Sequence, residues 1–122
     1  MRSPAQTYKN VAMQSSNPRE LEATLLLQAA AKLQSVQDGW EHNKAQLADA
    51  LLNNRNLWSI FLTEMTDPNN PMPKDVRQNV ANIGVFVMNH TLKVMSDPQP
   101  DHLKSLISIN CEIAAGLLTP NS

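Results

Sequence analysis

The stretch Val80-Ala81-Asn82-Ile83-Gly84-Val85-Phe86-Val87-Met88 decides the fold. Its β-branched residues and its glycine permit a strand. The spacing around it favours a helix: Val76, Val80, Ile83, Val87 and Val94 fall at intervals of three, four and seven, which line one face of a 3.6-residue repeat. Between Val80 and Met88 the only polar residue is Asn82. A helix apolar nearly all round is expected to lie innermost. Pro73 suits its first position and Asp75 its first turn.

Working outward, Asp67-Pro68-Asn69-Asn70-Pro71-Met72-Pro73 reads as a rigid connector, because each proline fixes its own φ and biases its predecessor away from helix. Ahead of it, Leu47, Leu51, Trp58, Phe61, Leu62 and Met65 share a face of a helix that starts near Asn43, with Gln46 three residues on. Asn17-Pro18-Arg19-Glu20 has the form of an earlier start: a cap, a proline at the first helical position, and an acid that reaches back. Leu26, Ala29, Ala30, Leu33 and Val36 follow on one face, with Leu21 and Leu25 beside it, and Asp38-Gly39 stops this helix by an expected left-handed exit. Downstream, Asp97-Pro98-Gln99-Pro100 opens a last helix carrying Leu103, Leu106, Ile107, Ile113 and Leu117, which Pro120 ends. Tyr8, Val11 and Ala12 suggest a short leading helix or turn. The expected fold is all-α, a compact bundle of four main helices at about 18–37, 43–66, 73–96 and 100–118 with that short N-terminal element. The connections are of the length that sets neighbours antiparallel. Residues 1–122 are expected to form a single domain, with 1–7 and 119–122 as flexible ends.

Charge is nearly balanced, at −1 over 122 residues, and neither sign gathers into a block. That disfavours DNA and direct RNA contact, which depend on clustered cations. A single cysteine, Cys111, forbids an intramolecular disulfide and fits a reducing cytoplasm. The first residues hold no apolar core of a signal peptide, and the longest apolar run, Ile83 to Met88, is too short to insert across a bilayer.

No catalytic or phosphate-cradling motif occurs. His42, His90, His102 and Cys111 form no pair at i,i+3 or i,i+4, so no metal site, cofactor or enzymatic activity is expected. More telling are the polar residues placed inside apolar stripes: Asn54 between Leu47 and Trp58, His90 between Val87 and Val94, and Asn110 between Ile107 and Ile113. Two readings stand. Either they satisfy one another or nearby carbonyls inside the bundle, or they lie at the wet margin of wide stripes. Met65, Met88 and Met95 supply adaptable side chains of the kind used at binding grooves. Trp40 and Met72 either cover the bundle ends or border a groove for a partner's amphipathic helix.

At Leu57-Trp58, at Asp67-Pro68-Asn69-Asn70-Pro71-Met72-Pro73, and at Arg77-Gln78-Asn79-Val80-Ala81-Asn82-Ile83-Gly84-Val85-Phe86-Val87 the chain resembles FlaF, a family of small flagellar biosynthesis proteins of alphaproteobacteria. The likeness extends to Tyr8, Ala12 and Ser16 to Ala23 on one side, and to Leu103, Leu106 to Asn110 and Gly116-Leu117 on the other. The asparagines of Asn53-Asn54-Arg55-Asn56 and Cys111 depart from the pattern. The resemblance implies a non-enzymatic regulator that promotes flagellin synthesis or secretion. It would bind flagellin as a cytoplasmic chaperone, or act on flagellin mRNA together with FlbT. Since flagellin's terminal segments are amphipathic, a groove combining Asn54, Arg55, Trp58, Phe61 and Met72 is the expected partner-binding face.

Overall fold

The computed structural model describes residues 18–119. Among these there are five α-helices and no strand: α1 (Pro18–Asp38), α2 (Trp40–Asn43), α3 (Leu47–Met65), α4 (Lys74–Ser96) and α5 (Lys104–Leu118). A 3-10 turn, Lys44–Gln46, leads into α3, and another, Pro100–Leu103, leads into α5. The expected all-α bundle of four long helices is the fold observed. The leading element at Tyr8, Val11 and Ala12, the Asn17 cap, and the chain ends 1–7 and 120–122 lie outside the described residues. Thr119 is tied down, its backbone N–H and its hydroxyl both donating to the Ala115 carbonyl, at 3.1 and 2.8 Å.

α1 begins at Pro18, whose fixed φ suits the first turn. It buries Leu21, Ala23, Leu26, Ala29, Ala30, Leu33 and Val36. The alanines among the leucines let two neighbours approach closely, and α1 packs against both α3 and α5. Its direction relative to α5 follows from two bonds. Gln37 Nε2 donates to the Pro100 carbonyl at 2.9 Å, and Asn110 Nδ2 donates to the Leu26 carbonyl at 3.2 Å. The end of one helix meets the start of the other and their middles coincide, so the pair is antiparallel.

The helix expected to lie innermost does not. α4 packs on α3, at the outside of the bundle, and buries only Gly84, Val87, Thr91 and Val94. Val85, Phe86, Leu92 and Met95 are 53, 46, 58 and 57% exposed. Periodicity measures how wide an apolar face is, not how many neighbours the chain supplies for it. α1 holds the centre instead, because its small residues admit helices on two sides.

Gly84, which sequence alone could assign to a strand, is a notch at a helix crossing. A Cβ there would lie 2.6 Å from Leu62 Cδ2 and 3.3 Å from Trp58 Cε3, so its absence sets how near α4 comes to α3.

Two boundary expectations are corrected. Gly39 does not turn left-handed: its φ is −108°. Asn43 does not cap the helix that follows. It reaches back across Gly39, and its Nδ2 donates at 3.0 Å to the Ser35 carbonyl, which also accepts the Gly39 N–H at 3.2 Å. A Cβ on Gly39 would fall 2.5 Å from that Nδ2. Glycine leaves room for the Asn43 carboxamide. The start of α3 consequently moves from 43 to Leu47, after the 3-10 turn.

The proline connector is held by side chains. Asn70 Nδ2 donates to the Glu64 carbonyl at 3.0 Å, and its Oδ1 accepts the Met72 N–H at 2.9 Å. From the first turn of α4, Arg77 donates through Nε to the Met72 carbonyl (3.2 Å) and through Nη1 to those of Met65 (3.4 Å) and Asp67 (3.0 Å). A planar guanidinium with several donors suits this task, since the end of α3 leaves carbonyls without intrahelical partners. Pro73 stands just outside α4 as its N-terminal cap residue, with φ −54° and ψ 142°.

Candidate functional site

Asn110 joins three helices at the centre of the molecule. Its Oδ1 accepts the indole N–H of Trp58 at 2.9 Å, while its Nδ2 donates to Asn54 Oδ1 at 2.7 Å and to the Leu26 carbonyl of α1. Trp58, Asn54 and Asn110 are each fully buried, at 0% exposure. The asparagines within the apolar stripes of α3 and α5 are therefore paired inside the bundle. The helical geometry that places Asn54 one turn before Trp58 on α3 brings both to the same carboxamide. One polar atom is left over: Asn54 Nδ2 is buried without a hydrogen-bond partner.

His90 is not part of this cluster. It is half-buried, and its Nε2 donates to the His102 carbonyl at 2.8 Å. His102 in turn directs Nδ1 to the Asp97 carbonyl at 3.0 Å, and Phe86 stacks on the His90 ring at 5.3 Å. These contacts fasten the end of α4 to the turn that starts α5. Cys111 is exposed on α5. Among the described residues, no three His, Cys, Asp or Glu side chains gather where they could hold a metal ion.

The five residues singled out for partner binding do not share a surface. Asn54, Trp58 and Phe61 belong to the core, with Phe61 edge-on to Trp58 at 5.6 Å. Met72 is half-buried at the connector end. Arg55 is exposed, and it borders an open cleft of about 430 Å³ between α3 and α4, lined also by Asn56, Ser59, Met88 and Leu92. Leu52, one turn before Asn56 on α3, is 51% exposed and adds an apolar side chain beyond that polar border. Val85 and Met95 continue it along α4.

Leu92, Val85 and Leu52 went unnoticed as surface residues because an apolar side chain carries no mark of which way its helix turns. A signal was present nonetheless. Val85, Met88, Leu92 and Met95 are spaced three, four and three, as in a helix-packing seam.

The cleft sets the apolar Met88 and Leu92 of α4 against the polar Arg55, Asn56 and Ser59 of α3, and brings together no acid–base pair. What it can do is hold another surface. Among the described residues no helix is long and apolar enough to cross a membrane. No curated protein and no solved structure matches the chain. A family model does match, that of the flagellar protein FlaF, over residues 4–117. The proline connector with its Arg77 clamp and the notched α3–α4 crossing fall inside that span, and the chain belongs to the FlaF family of flagellar proteins.

Proposed function

We propose that this protein is a non-enzymatic regulator of flagellar biosynthesis that promotes flagellin synthesis or secretion by binding flagellin as a chaperone in the cytoplasm. The observation that carries the reading is the row of exposed apolar side chains on α4, Val85, Leu92 and Met95, in a member of a flagellar family. One helix face with about half of each of three such side chains in water is an unusual arrangement unless something covers it. A flagellin subunit awaiting export carries amphipathic segments that assemble if left uncovered, so each surface supplies what the other lacks.

Co-expression of the tagged chain with the flagellin of the same cell tests this. The two should co-elute in gel filtration as a defined complex, and flagellin should stay unassembled longer in its presence. Separate elution of two folded proteins would remove the proposal.

A further inference from the structure

α4 carries two packing seams, offset by one residue. Gly84, Val87, Thr91 and Val94 step by three, four and three and are the residues that α4 buries. Val85, Met88, Leu92 and Met95 repeat the same steps one position on. One residue is about 100° of rotation on a helix. The buried seam is filled by this chain, whereas in the offset seam Val85, Leu92 and Met95 are exposed and Met88 is half-buried, beside the cleft bordered on α3 by Arg55, Asn56 and Ser59.

Charge distinguishes between occupants. On α3 between Asp49 and Glu64, and on α4 between Asp75 and Asp97, the only charged residues are Arg55, Arg77 and Lys93. Arg77 is engaged with the connector carbonyls. Arg55 and Lys93 are exposed, and neither has an ion-pair partner among the described residues. A further copy of this chain, docked face to face, would bring a surface of the same sign and no acid of its own. We infer that the groove between α3 and α4 docks an amphipathic helix of a different protein. Such a helix has apolar residues at heptad spacing that enter the Val85–Met88–Leu92–Met95 seam, and acidic residues on its flanks that meet Arg55 and Lys93. The inference gives the flagellin-binding reading its surface, and rests on that reading only for the natural occupant.

The test uses two labelled peptides of about three heptads, with leucine at both seam positions and either glutamate or lysine at every flanking position. Fluorescence anisotropy with the full chain should show the glutamate peptide binding and the lysine peptide at least about tenfold weaker. Leu92→Glu should weaken the glutamate peptide by at least about tenfold, because it sets a charge in the apolar seam. Arg55→Glu should reverse the peptide preference. Both side chains are exposed, so the melting temperature should hold in each variant. Equal binding of the two peptides, binding of neither, or binding that ignores Leu92→Glu overturns the inference. So does a sedimentation dimer that Leu92→Glu converts to monomer, since the groove's occupant is then another copy of this chain.

The flagellin arm separates the two proposals. Flagellin that co-purifies with wild type and equally with Leu92→Glu takes flagellin out of the groove and spares the chaperone reading. A glutamate peptide that binds in a Leu92-dependent way, beside flagellin that does not bind at all, supports the groove and removes the chaperone reading.

Discussion

At the scale of single residues, the Asn110 carboxamide is the most constrained group in the molecule. It serves the Trp58 indole, the Asn54 side chain and the Leu26 carbonyl at once. Asn110→Leu would leave the indole N–H and the Asn54 carboxamide buried without partners, at a cost of about 2–4 kcal/mol. Asn54→Leu differs. It forfeits one acceptor but also removes the Nδ2 that already lacks a partner, so the loss should be about 1 kcal/mol or less. Urea unfolding of both variants checks the order, and an Asn54→Leu loss as large as that of Asn110→Leu would contradict it. The two asparagines stood out in the sequence as polar residues at the middle of apolar stripes, but whether they were paired inside or lay at a wet margin was decided only by the fold, which buries both. Trp58 as a donor to them was not, since an indole reads first as bulk. His90 carries the same signature yet bonds to a backbone carbonyl, because its helix lies outside the bundle centre.

At the scale of elements, the α3–α4 pair rests on a notch and a clamp. Gly84→Ala gains about 1 kcal/mol of helix propensity but drives a methyl within 2.6 Å of Leu62 Cδ2 and 2.9 Å of its Cγ. Overpacking of this kind costs about 1–3 kcal/mol. The net expectation is a loss, partly relieved when Leu62→Ala is added, so that the double variant is more stable than the sum of the single ones. Strict additivity in a denaturant series would show that the notch does not set the crossing. The clamp is Arg77, with its three backbone carbonyls. Arg77→Ala should lower stability by about 1–2 kcal/mol, discounted for partial exposure, and Arg77→Lys should recover less than half because an ammonium cannot fork. Full recovery by lysine would assign the effect to charge alone. The connector's rigidity was readable from its prolines. Its long-range clamp was not, since nothing in the local sequence of Arg77 points back across the turn to Met65.

At the scale of the whole molecule, stability should be distributed according to which helix has neighbours on several sides. The apolar content of α4 suggested that it held the centre, yet two adjacent seams give the same composition as one fully enclosed helix, and only one seam of α4 is enclosed. α1, with three buried alanines between its buried leucines and packing partners in both α3 and α5, takes that place. Native-state hydrogen exchange distinguishes the two arrangements. Amides from Leu26 to Leu33 should exchange only through global unfolding, whereas those of Val85, Phe86, Asn89 and Leu92 should open at a lower free energy, as expected where few buried contacts hold a segment. The gap should narrow when the glutamate-flanked heptad peptide is added, because a ligand that binds only the folded face stabilises it by mass action. If the α4 amides are as protected as those of α1 in the free protein, α4 is not the outer helix. The offset seam then has no free side on which to receive a partner.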